Sequence, residues 1–150
     1  MQAKEIMTKD VITIKAGQTV DQAARLLSEN RISGLPVVDQ ENRVIGIISE
    51  GDLVFQQKKI TPPVVIAFLD GILQLGQQEF YNELKKIAAY KVEDIMTSTV
   101  TFVAPETGID DIATLMINNE INRVPVLDEN KKLLGIITRH DIIKNVYNRV

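Results

Sequence analysis

The side chains best suited to chemistry in this 150-residue chain form two short runs of one kind, Ser49-Glu50-Gly51-Asp52 and Thr138-Arg139-His140-Asp141. A hydroxyl followed three residues later by a carboxylate has the spacing of a helix capping box, in which each side chain satisfies a backbone N–H near the other. The two runs differ in charge: Arg139 and His140 stand where the first run has Glu50 and Gly51, and Arg123 stands where the first half has Gly34. An arginine offers a rigid fork of donors suited to phosphate, whereas Glu50 repels one, so two anion sites built from these halves are unequal. His140 is the single histidine; it is either an incidental surface residue or, between Arg139 and Asp141, a further phosphate contact.

Catalysis finds little to work with. One histidine and no cysteine give neither a Ser-His-Asp set nor a thiolate, and no H-E-x-x-H or Gly-rich Walker loop is present. The pair Asp110-Asp111 falls in the first turn of an expected helix, where acidic side chains complement the dipole. No catalytic residue and no metal ligand is expected; an enzyme remains the weaker reading, separable from binding by an ATP turnover assay.

The elements that position these residues repeat. Lys4 to Val54 aligns without a gap onto Glu93 to Ile143, each position shifted by 89. Ile6-Met7-Thr8 returns as Ile95-Met96-Thr97, Pro36-Val37-x-Asp39 as Pro125-Val126-x-Asp128, and Gly46-Ile47-Ile48-Ser49 as Gly135-Ile136-Ile137-Thr138. Two such copies are too few for a solenoid and are expected to bury their apolar faces on each other, leaving a cleft on a pseudo-two-fold axis.

Within each copy a strand comes first, Val11 to Ile14 and Val100 to Val103, rich in β-branched and aromatic residues. A helix follows, capped by Thr19 and Gln22 with the stripe Val20, Ala23, Ala24, Leu27; its twin carries Ile109, Ile112, Ala113, Met116 after Gly108. Two apolar runs then read as a hairpin, Leu35 to Val38 with Val44 to Ile48, and Val124 to Leu127 with Leu133 to Ile137. Gly46 and Gly135 sit inside the second runs, where a missing side chain often marks close approach of a backbone or ligand. With the helix begun by Ser49 or Thr138, each unit is β-α-β-β-α, and the fold class is α/β.

The expected organisation is residues 1–54, an insertion at 55–91, and residues 92–150. The insertion has Pro62-Pro63, an apolar segment from Val64 to Leu75, Gly76, and a helix over Glu79 to Tyr90 with Phe80, Leu84, Ile87 and Ala88 on one face. It reads as a helical hairpin that covers the sheet end, offers a surface for self-association or for a partner, or does both.

Composition bounds the rest. Hydrophobic residues at 45% and charged ones at 25% are ordinary for a globular domain. A net charge of -3, with lysine pairs only at Lys58-Lys59, Lys85-Lys86 and Lys131-Lys132, argues against nucleic acid as the main partner. No secretory leader and no membrane-length apolar run is visible, so a cytoplasmic location is expected.

The ordered set of motifs, appearing twice, resembles the CBS (cystathionine β-synthase) domain family, and two units in tandem resemble a Bateman module. The resemblance covers roughly two thirds of the chain and omits residues 55–91. It implies a non-enzymatic regulatory module that binds an adenosyl ligand such as AMP, ADP, ATP or S-adenosylmethionine between the repeats, forms a homodimer shaped as a flat disc, and acts on a protein partner. The alternative is a scaffold that dimerises and binds nothing small. By the same resemblance Asp52 and Asp141 accept from the two ribose hydroxyls, with Ser49 and Thr138 offering a hydroxyl to ribose or phosphate. Adenine is assigned to Ile12, Ile32, Ser33, Gly34 and Pro36 in one copy and Thr101, Ile121, Asn122, Arg123 and Pro125 in the other, and phosphate to Arg123, Arg139 and His140. Ribose binding and helix capping both stay open for the aspartates, as do pocket and core for the isoleucines.

Overall fold

The structure, a computed structural model, describes residues 1–147 of the chain; residues 148–150, which end the second expected unit, lie outside it. A short helix α1 (Ala3–Ile6) leads into strand β1 (Ile14–Lys15), helix α2 (Val20–Asn30), the hairpin β2 (Gly34–Val38) and β3 (Val44–Ser49), and helix α3 (Glu50–Phe55). The second copy supplies a 3-10 turn at Val92–Asp94. The insertion between them holds β4 (Val64–Phe68), β5 (Gly71–Leu75) and helix α4 (Gln77–Ile87). Helix α5 (Ile109–Asn118), strands β6 (Arg123–Leu127) and β7 (Leu133–Thr138), and helix α6 (Arg139–Tyr147) complete the fold.

Local chemistry explains the repeated elements. The Thr19 hydroxyl accepts the Gln22 N–H at 3.1 Å while Gln22 accepts the Thr19 N–H at 3.0 Å, so α2 starts where the capping spacing places it. It buries Val20, Ala23 and Leu27 and ends at Arg31, which takes the left-handed conformation with φ 53. Helix α5 has only Gly108 at its cap, with Asp110 and Asp111 in its first turn, and buries Ile112 and Met116. In both hairpins an aspartate ties the loop: Asp39 accepts the N–H groups of Glu41 and Arg43, each at 2.9 Å, and Asp128 those of Asn130 at 2.8 Å and Lys132 at 2.9 Å.

The two copies exchange their leading residues. Ala3 and Ile6 pack with Val103, Ile112, Val124, Val126 and Ile137 of the second copy, and Val92 and Ile95 pack with Ile14, Leu27, Leu35, Val37 and Ile48 of the first. Thr8 and Ile136 exchange backbone hydrogen bonds at 2.9 and 3.0 Å, and Thr97 and Ile47 do the same at 2.9 Å each way. Each core is thus completed by the other copy, and each buried aliphatic side chain contributes about 1.5 to 3 kcal/mol relative to its exposed form. Gly46 and Gly135 serve this exchange: a Cβ on Gly135 would lie 2.6 Å from the Met7 sulfur and 2.9 Å from the Thr8 carbonyl oxygen, and one on Gly46 would strike the Met96 sulfur.

Two expectations change. The opening strands are much shorter than Val11 to Ile14 and Val100 to Val103 imply: only Ile14 and Lys15 form a strand, parallel to β2, and Val103 makes a single parallel bridge to Val126. Of the preceding residues, Val11 and Ile12 in the first copy and Val100 and Thr101 in the second line clefts between the copies. The insertion is not a helical hairpin. Val64 to Leu75 forms an antiparallel β-hairpin with Val64 opposite Leu75 and Phe68 opposite Gly71, and only Gln77–Ile87 is helical. Its strand is rich in Val, Ile and Phe, and the two-residue turn Leu69-Asp70 brings Phe68 opposite Gly71, which a reading by apolar content alone passes over. Gly76, at φ 76, supplies the left-handed residue before α4. The insertion rests on the end of α3, where the Gln56 amide donates to the carbonyls of Lys86 and Ala89 at 3.0 Å each and the Phe55 ring receives the ammonium groups of Lys58 and Lys86 at 5.4 Å.

Candidate functional site

The exchange brings each Ser/Thr-x-x-Asp run beside pocket residues of the opposite copy. One cleft, of about 210 Å³, has Ile47, Ser49 and Asp52 from the first copy against Thr97, Thr99, Val100, Thr101, Glu120, Ile121, Asn122 and Arg123 from the second. The other, of about 630 Å³, has Ile136, Thr138, Arg139, His140 and Asp141 against Thr8, Asp10, Val11, Ile12, Arg31, Ile32, Ser33 and Gly34, with Glu50, Asn122 and Arg123 at its border. Position by position the two linings are related by the 89-residue shift, so they form a pseudo-symmetric pair.

The carboxylates divide their work between their two oxygens. Asp52 Oδ2 accepts the Ser49 N–H at 2.7 Å and the Ser49 hydroxyl at 3.1 Å; Asp141 Oδ2 accepts the Thr138 N–H at 2.8 Å and the Thr138 hydroxyl at 2.6 Å. The capping geometry is therefore present in both copies. Among the described residues no hydrogen bond engages Oδ1 of either aspartate, and each aspartate, half-buried, lines its cleft, so that oxygen keeps acceptor capacity for an incoming hydroxyl.

The remaining assigned residues fall unevenly. Ile12, Ile32, Ser33 and Gly34 line the Asp141 cleft, and Thr101, Ile121 and Asn122 line the Asp52 cleft, with Asn122 reaching both. Pro36 and Pro125 line neither: they are buried in β2 and β6, paired opposite Ile47 and Ile136, and act as sheet core. Arg123, Arg139 and His140, assigned to phosphate, do not form one trio. Arg139 and His140 belong to the Asp141 cleft alone, whereas Arg123 lines both. Arg123 donates to the Ser33 hydroxyl, and burial pushes its guanidinium below the usual arginine range while Glu50 and Asp52 pull it back up. Glu50, which the sequence sets with the first run, borders the Asp141 cleft instead, and its backbone N–H donates to the Ser33 carbonyl at 3.1 Å.

Arg31 escaped the sequence reading. It lies at the end of α2 in the Asp141 cleft, and Glu120 occupies the equivalent place in the other. The signal was available: the 31/120 pair shows the same basic-for-acidic contrast as 139/50 and directly precedes the pocket residues at 32–34 and 121–123. The Asp52 cleft thus carries Asp52 and Glu120 against Arg123, and the Asp141 cleft carries Arg31, Arg123, Arg139 and His140 against Asp10, Glu50 and Asp141.

Comparison with known proteins agrees with this architecture. The CBS domain family model matches residues 3–59 and 92–148. MJ1426 of Methanocaldococcus jannaschii, an uncharacterised protein, is 35% identical over 96% of this chain and 90% of its own length. The chloroplastic CBS domain-containing protein CBSX1 of Arabidopsis thaliana is 32% identical over 93% of this chain, which spans only 61% of that relative. Among solved structures, CBSX2 in complex with AMP superposes with a TM-score of 0.80 at 26% identity, covering 99% of this chain and 97% of that one. The CBS domain pair of MJ0100, in complex with 5′-methylthioadenosine and S-adenosyl-L-methionine, superposes at 0.73 with 25% identity, covering 97% and 98%. Two matched segments, two exchanged cores and two pseudo-symmetric clefts have one account: the chain belongs to the CBS domain family, as a tandem pair forming a Bateman module.

Proposed function

We propose that the protein is a regulatory module that binds an adenosyl ligand, AMP or a close relative such as ADP, ATP or S-adenosylmethionine, and modulates a partner without turning the ligand over. The observation that carries this is the pairing, in each cleft, of a half-satisfied carboxylate from one repeat with an apolar and backbone-lined pocket from the other. Asp52 and Asp141 hold the ribose through Oδ1, and Ser49 and Thr138 keep Oδ2 in place. Ile12, Ile32, Ser33 and Gly34 enclose adenine in one cleft, and Thr101, Ile121 and Asn122 in the other. The Asp141 cleft, at about 630 Å³, lies within the roughly 300 to 1,000 Å³ range of small-molecule sites. Its Arg31 and Arg139, with the His140 imidazole beside them, suit a phosphate; the Asp52 cleft, at about 210 Å³, is the smaller and more acidic of the two. The AMP complex of CBSX2, similar over nearly the whole chain, supports the ligand class. A thermal-shift screen with AMP, ADP, ATP and S-adenosylmethionine tests it: a ligand that binds only the folded state raises stability, by about 2.7 kcal/mol at a hundredfold excess over Kd.

The module works as a homodimer. The support is the β4–β5 hairpin, whose strands carry no charged residue and expose Phe68 at 61% and Ile72 at 71% of their surface. An uncharged two-stranded ribbon with open edges is marginal in water by itself and is stabilised by covering. The competing reading, a dimerisation scaffold without a small ligand, shares this hairpin but has no use for the cluster of cations in the Asp141 cleft.

A further inference from the structure

Arg123 has no twin. Its counterpart in the first copy is Gly34, and the two positions meet across the pseudo-two-fold axis: a Cβ on Gly34 would overlap the Arg123 guanidinium. Arginine at both positions would drive two like charges into one space, so glycine at 34 clears the room into which a single guanidinium reaches. There it donates to the Ser33 hydroxyl on the wall of the Asp141 cleft while also lining the Asp52 cleft. The other arginines of the pair of clefts, Arg31 and Arg139, both belong to the Asp141 side, with His140 beside them; the Asp52 cleft has no arginine or lysine but Arg123 among its lining residues.

Resting on the adenosyl reading above, we propose that Arg123 is one cation shared by two clefts, so that a phosphate-bearing ligand in one cleft antagonises binding of a second in the other. A guanidinium drawn to a phosphate in the Asp141 cleft leaves the Asp52 cleft with Asp52 and Glu120 unbalanced, and a phosphate there meets only carboxylates. A guanidinium drawn into the Asp52 cleft gives up its Ser33 bond and withdraws charge from the other side. Coupling between two binding events is reciprocal, so the penalty is the same whichever cleft fills first. Adenosine, with no phosphate, does not compete for the guanidinium. The pair therefore responds to phosphorylated ligands over a wider concentration range than two independent sites, and to the bare nucleoside as two independent sites.

Calorimetry on the full chain, with AMP and with adenosine, tests this on the wild type and on Asp141→Ala, Arg123→Gln and the double variant, each checked by a melting curve. Removing Asp141 takes the ribose anchor from the Asp141 cleft and lowers its occupancy while the Asp52 cleft is titrated. The AMP affinity of the Asp52 cleft in Asp141→Ala is expected to exceed the second AMP step of the wild type by about tenfold, within the usual span of coupling factors. The factor is expected to fall toward one when Arg123→Gln is compared with the double variant, and to be absent for adenosine throughout. A second AMP step equal to the affinity in Asp141→Ala, or a factor that survives Arg123→Gln, overturns the sharing while leaving the adenosyl reading intact. Failure of the wild type to bind either ligand overturns both. If a variant is unfolded at the titration temperature, the wild type alone decides: equal spacing of the two steps for AMP and for adenosine refutes the proposal.

Discussion

Met7 lies with its sulfur against Gly135, and Met96 lies the same way against Gly46, so the leading motif of each repeat is docked into the strand of the other. The methionine is the flexible partner in both contacts, and the glycine is the fixed one.

Alanine at these glycines is expected to destabilise the fold by about 1 to 3 kcal/mol, the range for inserting a methyl into a packed core. Gly135→Ala should cost more than Gly46→Ala, because it also meets the Thr8 backbone oxygen at 2.9 Å, which cannot rotate away as a methionine can. Urea denaturation midpoints give the comparison, and the reverse order would contradict the packing.

The aspartates should show their two roles separately. Asp141→Ala and Asp52→Ala are each expected to lower stability by about 0.5 to 2 kcal/mol through the lost cap. Each is also expected to weaken adenosine at its own cleft by about 1.5 to 3 kcal/mol through the lost ribose bonds. Normal adenosine binding by both folded variants would leave capping as their whole purpose.

Arg139→Ala should weaken AMP by about 1.5 to 3 kcal/mol, the worth of a hydrogen bond to a charged group, and adenosine by far less. Arg31→Ala should act in the same direction. Equal loss of AMP and adenosine in titrations of either variant would remove phosphate from the assignment.

For the hairpin, Phe68→Lys with Leu73→Lys places charge on the one ribbon face shared by Val64, Ile66, Phe68, Leu73 and Leu75, which now carries none. The expected result is a dimer in the wild type and a monomer in the double variant by light scattering, with the melting of the paired repeats little changed. A wild-type monomer at micromolar concentration would end the dimer reading.

The β2–β3 loop gives a pH prediction. The backbone N–H of Arg43 foremost, with the Arg43 side chain and the Glu41 N–H, holds the Asp39 carboxyl below the usual carboxylate range. A depressed folded pKa contributes stability above the unfolded value of about 3.9 and loses it as pH falls through the folded one. Asp39→Asn should therefore melt below the wild type at neutral pH, and the gap should close under acid. A gap that persists at low pH would assign the effect to packing.

Local chemistry wrote much of this structure into the chain. The Thr19 cap, the Asp39 and Asp128 loops and the Gly46 and Gly135 strands all follow from neighbours within a few residues, and the 89-residue shift declares two copies of one motif. Helix stripes and hairpin runs are legible for the same reason, because periodicity is a property of adjacent residues. Three features lay beyond that range. Val64 to Leu75 became a hairpin because strand pairing across the Leu69-Asp70 turn outweighed apolar content, and Val11 and Ile12 lie outside the sheet, in the lining of the Asp141 cleft. Above all, the exchange of leading segments decided which Asp meets which pocket, and so placed Arg123 between two sites and Glu50 beside the one opposite its own aspartate. Contacts such as Thr8 with Ile136 and Ile47 with Thr97 depend on how two apolar faces come together, and no run of neighbouring residues encodes that.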